Sequence, residues 1–259
     1  IIKIEKVEMI GMTESIGNEF LPNENKVYKA DLHIHSCLSP CADLTMVPST
    51  VCTKDIDILA ITDHNTAENV AAFVCLCRDK VVIPGIEIHT FEDVHILGYF
   101  STLSDVMEVS KIVSENTNPF PYDPETFGYQ LLLNESEDFI GMLDNYLGFP
   151  TNLSIDQTID LIEKHNGLAV FAHADRKFGV IYQLGMLPKN AHFVEVRKRE
   201  TWQELKSTGH IVLTSSDAHV PGEIGSRKIF FQNDAFSGKI DAHSVISAVA
   251  LGRFRTIWD

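Results

Sequence analysis

Residues 31–36 read Asp-Leu-His-Ile-His-Ser and close an apolar run that begins at residue 27. His33 and His35 are two positions apart, and alternate residues of a β-strand point to the same side. Two imidazoles on one side of a strand can bind one metal ion together. A strand with two solvent-facing histidines fits the same pattern, so the metal interpretation needs support from other parts of the chain.

Four further segments place histidines and carboxylates at the ends of apolar runs. They are ITDHN (61–65), GIEIH (85–89), AHADR (172–176) and SSDAH (215–219), and His95 lies in the next apolar run, at 94–98. In a barrel of parallel strands the carboxyl ends of the strands meet on one face. An unpaired buried carboxylate such as Glu87 is costly unless a cation compensates it. Five such strand ends together indicate a site for several metal ions more strongly than scattered surface histidines.

Short β-rich runs alternate with helical stretches along most of the chain, which predicts an α/β fold with a parallel sheet. The predicted strands are 27–35, 56–62, 81–90, 94–100, 168–172, 193–196, 211–215 and 228–231. The predicted helices are 48–54, 67–80, 155–166 and 242–251, with Ser154 as N-cap and Gly167 as the C′ residue of the third.

Residues 101–152 interrupt this alternation and are predicted to be an insertion, with helical stretches around Leu131 and Ile140. The barrel domain would then comprise 1–100 and 153–259. A plain surface excursion is the simpler interpretation of the insertion, and a lid that sets specificity is the alternative.

The 259 residues include 36 acidic and 21 basic side chains, for a formal charge of −15. Duplex nucleic acid is bound mainly through its phosphates, so this balance predicts no duplex nucleic-acid partner. No apolar stretch approaches the ~20 residues that span a bilayer, and residues 1–10 lack a signal-peptide core, which predicts a cytoplasmic protein without a membrane partner.

Five cysteines, an odd number, predict reduced thiols. Cys75 and Cys77 are assigned to helix packing, and Cys37 and Cys41 to free thiols in a loop beside the site.

The segments DLHIHS, ITDHN, GIEIH, AHADR and SSDAH, in this order, resemble the polymerase and histidinol phosphatase (PHP) family of metal-dependent phosphoesterases. The resemblance implies an α/β fold, a distorted (β/α)7 PHP-type barrel, with two to three divalent metal ions. The mixture of imidazole and carboxylate suits Mn, Zn or Fe.

The resemblance also implies three groups of ligands, one for each ion. His33, His35, Glu87 and Asp217 would hold the first ion, and Glu87, His95 and His173 the second. His64 and His219 would hold the third with one more ligand, for which Asp43 has the better spacing and Cys41 is the competitor.

By the same resemblance, Arg176 would bind the substrate phosphate, and a hydroxide bridging the metal ions would attack phosphorus in line. His219 or Asp63 could donate or orient a proton, with Asp63 favoured as support for a ligand. Glu195 and Arg197 are given a weak substrate-contact role.

The function predicted is a metal-dependent phosphoric ester hydrolase acting on a small phosphorylated substrate of the nucleoside monophosphate or 3′,5′-bisphosphate type. The alternatives are a 5′-3′ exonuclease on short single-stranded RNA or DNA, and a non-catalytic metal-stabilised binding module. The sequence leaves the oligomeric state open.

Overall fold

The computed structural model describes residues 19–23 and 26–259. The prediction that residues 1–10 carry no signal-peptide core lies outside these ranges. The strands are β1 (Tyr28–Ile34), β2 (Ile58–Ile61), β3 (Val81–His89), β4 (His95–Tyr99), β5 (Leu131–Leu133), β6 (Phe139–Met142), β7 (Leu168–Phe171), β8 (Phe193–Glu195), β9 (Ile211–Leu213), β10 (Ile229–Phe231) and β11 (Arg255–Thr256). The helices are α1 (Pro48–Val51), α2 (Val70–Leu76), α3 (Leu103–Glu115), α4 (Pro124–Phe127), α5 (Ile155–Lys164), α6 (Val180–Leu184), α7 (Arg199–Ser207) and α8 (Ala242–Ala250).

Nine strands form one sheet in the order β11-β10-β1-β2-β3-β4-β7-β8-β9. The segment after β9 pairs with the end of β1, because His35 N donates to Ala218 O over 3.0 Å and Ala218 N donates to His33 O over 3.3 Å. This seam brings the chain after β9 back to β1 and nearly closes the sheet into a barrel. The predicted α/β barrel is therefore confirmed.

The sheet is not wholly parallel, which corrects the sequence-based prediction. Strand β4 is antiparallel to both β3 and β7, and β10 and β11 are antiparallel to their neighbours. Only five residues separate β3 from β4, whereas a parallel crossover needs about a dozen. The chain can therefore only turn back at this point.

The core has two layers, one on each side of the sheet. Within β4, His95, Leu97 and Tyr99 point to one side and Ile96 to the other. Leu97 belongs to the hydrophobic cluster inside the barrel, which α8 also joins, and Ile96 to the cluster beneath α2, α3 and α5. The histidine at the start of β4 therefore lies directly above a packed apolar layer.

Helix α5 begins as predicted, with a capping box between Ser154 and Gln157. Its C′ residue is Asn166 (φ 59°), so the prediction of Gly167 at that position is wrong. A Cβ at Gly167 would lie 2.5 Å from the Phe100 ring. The glycine is required for this close packing and not for the turn.

Within 101–152 the structure places α3, α4 and the β5–β6 hairpin. Leu131 and Ile140 lie in strands, so the helices predicted around them are wrong, while α3 was not predicted. Such short apolar runs do not distinguish strand from helix. The division into a barrel and an insertion stays a prediction.

A disulfide joins Cys52 to Cys77, and Cys37, Cys41 and Cys75 are free. The prediction of reduced thiols throughout, with Cys77 serving only in packing, is therefore wrong. Disulfides are rare in the cytosol, so the cysteine count no longer supports a cytoplasmic location. Among the described residues, no helix is both long and apolar enough to cross a bilayer.

Candidate metal centre

Glu87, fully buried on β3, is the centre of the candidate site. Five imidazoles surround its carboxylate. The distances to Glu87 Oε1 are 2.9 Å from His95 Nδ1, 3.2 Å from His173 Nε2 and 3.3 Å from His33 Nε2; those to Oε2 are 2.9 Å from His64 Nδ1 and 3.4 Å from His35 Nε2. The five histidines come from four separate segments of the chain, which the sheet brings to one end of the barrel.

Asp217 is the second carboxylate of the site and follows β9. Its Oδ1 lies 3.3 Å from His33 Nε2 and 3.2 Å from His35 Nε2. Its Oδ2 accepts a 2.7 Å hydrogen bond from Arg176 Nη1. The two oxygens thus face different partners, the histidine pair on one side and the guanidinium on the other.

Three groups of side chains bring potential ligand atoms within 4.8 Å of one another. They are His33, His35 and Asp217; His64, Glu87 and His95; and His35, His64 and His219. His173 joins the second group through its contact with Glu87. These are the imidazole and carboxylate donors that bind divalent transition metals.

Buried polar atoms that lack hydrogen bonds within the protein test whether metal ions fit this site. Glu87 Oε2 is buried and makes no hydrogen bond of suitable geometry among the described residues, although His64 Nδ1 lies 2.9 Å away, and His173 Nδ1 is buried without a partner among them. The Nε2 atoms of His33 and His35 face each other at 3.2 Å between two carboxylates. Cations between these groups would satisfy the carboxylate oxygens and the facing nitrogens together, so the residues fit a metal centre.

Burial alone would raise the pKa of Glu87, but His95, His33 and His64 hold it well below its usual range. Burial also opposes the charging of His33, yet Glu87 and Asp217 raise the pKa of that histidine well above its ordinary value. For His35, burial and the neighbouring His219 and His64 lower the pKa well below its usual range. The site therefore holds ionised carboxylates beside a neutral imidazole, which is the form of histidine that binds metals.

Buried acceptors behind the histidines fix the orientation of two rings. Glu195 Oε2 lies 3.2 Å from His33 Nδ1, and Glu195 Oε1 accepts from the His173 backbone amide. Ser39 Oγ lies 2.8 Å from His35 Nδ1 and donates to Asp63 Oδ1 over 2.7 Å. Such outer contacts select the tautomer that presents a free nitrogen to a metal.

This placement changes two of the predicted roles. Glu195 is fully buried against His33, so the predicted substrate contact is wrong for this residue. Asp63 is buried and also accepts from Ser36 N and Ser36 Oγ. Its position fits support for His35 and not proton transfer to a substrate.

The predicted third ligand group lies where the loop after β1 meets His219. The Asp43 backbone amide donates to His219 O over 2.8 Å, but the Asp43 carboxylate is exposed and accepts hydrogen bonds from Thr45 N and Thr45 Oγ1. The structure therefore does not place this carboxylate with the ligand atoms of His64 and His219. The Cys41 thiol lies beside both histidines: burial would raise its pKa, but hydrogen bonds with His219 and His64 lower it to about 6. These contacts favour Cys41 over Asp43. Among the described residues, the ligand atoms that lie within 4.8 Å of one another here are those of His35, His64 and His219, without either candidate.

Three residues of the site adopt left-handed backbone conformations that side chains rarely take: Asn65 (φ 55°), His173 (φ 26°) and Asp217 (φ 52°). Strain of this kind persists where surrounding structure over-determines the backbone, and it concentrates at functional sites. Asn65 also donates to the carbonyls of Leu147 and Phe149 over 2.9 Å each, which fixes residues 147–149 beside the centre.

The fold is shared with solved proteins. The chain superposes on the lesion-specific endonuclease PfuEndoQ from Pyrococcus furiosus with a TM-score of 0.66 and 17% identity, over 90% of this chain and 58% of the endonuclease. Endonuclease Q in complex with a 27-mer duplex substrate gives 0.61 and 16%, over 89% and 58%. A two-domain protein from Bacteroides vulgatus containing a predicted PHP-like metal-dependent phosphoesterase gives 0.50 and 13%, over 96% and 70%.

These similarities confirm the PHP-type fold that the five segments implied. The chain spans less than two thirds of the length of endonuclease Q. The sequence matches no family model and no curated protein.

The comparison contradicts the prediction that duplex nucleic acid is excluded as a partner. Endonuclease Q, which has this fold, is solved with a duplex that carries an abasic lesion at the active site. Net charge averages over the whole surface, whereas binding depends on the local field around a site. A charge of −15 therefore does not exclude such a partner.

Proposed function

We propose that this protein is a metal-dependent phosphoric ester hydrolase that works with two to three divalent ions, Mn, Zn or Fe. The observation that carries the proposal is the buried Glu87 carboxylate with five imidazoles around it. The proposed ligands are His33, His35, Cys41, His64, Glu87, His95, His173, Asp217 and His219.

When bound, divalent ions lower the pKa of water and neutralise charge on phosphoryl oxygens. The protein's own contribution begins with Arg176, whose side chain is 44% exposed at the mouth of the site. The Nη1 atom of Arg176 contacts Asp217, and the remaining guanidinium N–H groups can donate to a pair of phosphate oxygens. We assign Arg176 to binding the phosphate that reacts.

The remaining residues hold the ligands in place. Glu195 orients His33, and Asp63 orients His35 through Ser39. The ligand atoms of His219, His35 and His64 lie within 4.8 Å of one another, which supports a ligand role for His219. Proton donation to the leaving oxygen is the alternative role for the same ring.

We propose a small phosphorylated molecule, such as a nucleoside monophosphate or 3′,5′-bisphosphate, as the substrate. Cleavage of a nucleic-acid phosphodiester is the second candidate, favoured by the structural similarity to endonuclease Q. A non-catalytic, metal-stabilised module is the third, and it predicts fewer than two ions per chain.

The test combines elemental analysis with a hydrolysis screen. Protein reconstituted with Mn²⁺ is expected to hold at least two ions and to release phosphate or cleaved nucleotide from a panel of nucleotides, sugar phosphates, single strands and lesion-containing duplexes. Glu87→Gln, which removes the central charge, should lose metal and activity together, whereas the exposed Glu125→Gln should change neither. Full metal occupancy with no reaction across the panel would contradict the proposal.

A further inference from the structure

Three arginines lie along one edge of the metal centre. Arg176 contacts Asp217, and Arg197 Nη1 donates to the carbonyls of Ser215, over 3.3 Å, and Ser216. The guanidinium groups of Arg176 and Arg197 therefore flank the turn that carries Asp217.

Arg227 belongs to the same edge because its segment runs alongside that turn. Asp31 accepts from Ser216 N over 2.9 Å and from Gly225 N over 2.7 Å, which ties the two segments together. Thr214 Oγ1 donates to Lys228 O over 2.8 Å, one residue beyond Arg227. Burial lowers the pKa of Arg227 and the charge of Arg197 lowers it further, whereas the carboxylates of Asp175 and Glu195 raise it and Arg176 adds a smaller lowering effect.

Among the described residues, the guanidinium groups of Arg197 and Arg227 form no ion pair with a carboxylate. Both side chains are partly exposed, so a ligand can reach them. Gathering like charges is unfavourable, and in a chain of charge −15 acidic partners are plentiful. Asp175 and Glu195 act on Arg227 from a distance, but neither Arg197 nor Arg227 has a carboxylate within ion-pair distance among the described residues, so both guanidinium groups keep N–H donors available for an anion from solution.

We propose that Arg197 and Arg227 form a second anion subsite beside the metal centre, which binds a second phosphate group of the substrate. The inference rests on the proposed function, since it assumes that the first phosphate lies at the metal ions with Arg176. Guanidinium groups pair bidentately with phosphate oxygens, which lysine cannot reproduce. The second phosphate could be that of a nucleoside bisphosphate or the next phosphodiester of a polynucleotide.

The test compares the binding of three probes to the Mn²⁺-reconstituted protein by titration calorimetry. They are adenosine 5′-monophosphate, adenosine 3′,5′-bisphosphate and a 5′-phosphorylated dinucleotide. The samples are also assayed for hydrolysis products, so a failure of the subsite is distinguished from a failure of the proposed hydrolysis. At least one probe with two phosphates should bind about tenfold more tightly than the monophosphate, the size expected for charge-assisted hydrogen bonds.

Arg227→Gln should remove that preference and leave the affinity for the monophosphate unchanged. Arg253→Gln, an exposed arginine near β11, is the matched control. Arg197 also donates to the carbonyls of Ser215 and Ser216, so the milder substitution Arg197→Lys is used at this position. It should reduce the preference for probes with two phosphates while the metal content stays constant. Tighter binding of the bisphosphate would identify a small molecule, and tighter binding of the dinucleotide a polynucleotide. Equal affinities for all probes, or an Arg227→Gln protein that keeps the preference, would overturn the inference.

Discussion

Cys41 and Cys37 lie four residues apart in one loop but in opposite surroundings. Burial raises the pKa of Cys37 to about 12, whereas hydrogen bonds with His219 and His64 lower that of Cys41, against the effect of burial, to about 6. The thiolate is the reactive form, and its population grows as the pH rises through the pKa. In metal-free protein, alkylation of Cys41 by iodoacetamide should therefore be half-maximal near pH 6.

Peptide mass spectrometry across a pH series measures this reaction. Cys37 is expected to stay almost unmodified throughout the range in which Cys41 reacts, and Cys41→Ser should remove the fast phase. Equal rates at Cys37 and Cys41 would show that the loop does not hold the two thiols as described.

Arg176→Ala should weaken substrate binding without releasing the metal ions. The lost charge-assisted hydrogen bonds are worth about 1.5–3 kcal/mol, which corresponds to a rise in KM of about 10- to 100-fold. Lys177→Ala removes a neighbouring exposed charge and is the control. Elemental analysis of both variants checks the metals; unchanged kinetics in the Arg176 variant would discard its assigned role.

Most of the candidate ligands could be predicted because each lies in or beside an apolar strand, and strand ends converge in a barrel. The role of Glu195 in orienting His33 was not predicted, because the charged segment VEVRKRE (194–200) is typical of an exposed surface. The alternation of side chains along a strand could have predicted it. Val194 and Val196 are buried in the hydrophobic cluster outside the sheet, to which Ile96 also belongs, so Glu195 between them faces the interior of the barrel. The competition between Asp43 and Cys41 depends on loop conformation, which spacing does not determine.

At the scale of elements, the start of α5 can be tested directly. Ser154→Ala removes both the side-chain acceptor for Gln157 N and half of the capping box. The free energy of unfolding should fall by about 1 kcal/mol, which lowers Tm by about 2–4 °C. Calorimetry against Ser237→Ala, an exposed serine without a capping role, measures the difference, and equal Tm values for the two variants would contradict it.

The elements that sequence reasoning missed have identifiable physical reasons. Helix α7 was missed because only Leu205 among its residues is buried, so its apolar stripe is narrow. The β5–β6 hairpin was assigned as helix because Phe139, Ile140 and Met142 are apolar yet exposed, against the usual pattern. The reversal at β4 could have been predicted, because the gap between the predicted strands 81–90 and 94–100 is too short for a crossover.

For the molecule as a whole, the Cys52–Cys77 disulfide should be a substantial source of stability. It closes a loop with a sequence separation of 25 residues and joins the ends of α1 and α2. Closing such a loop lowers the conformational entropy of the unfolded chain, which raises the free energy of unfolding by about 3 kcal/mol. Reduction by dithiothreitol should therefore lower Tm by roughly 6–12 °C.

Cys77→Ser should lower Tm to a similar extent and abolish the response to reductant. Cys75→Ser, two residues away, should leave both the stability and the response unchanged. A Tm that does not respond to reductant in the unsubstituted protein would contradict the pairing. The sequence did not reveal this bond, because an odd cysteine count and helical spacing carry no information about distances between helices.

The seam between His35 and Ala218 has a consequence for the whole barrel. The residues that close it adjoin His33 and His35 on one side and Asp217 and His219 on the other. Ions held as proposed between these side chains would bridge the two edges of the seam. Any opening of the barrel at this place would then release the ions, so by mass action a higher free metal concentration must suppress that opening. The free energy of unfolding and the metal occupancy that the proposed hydrolysis requires would therefore increase together.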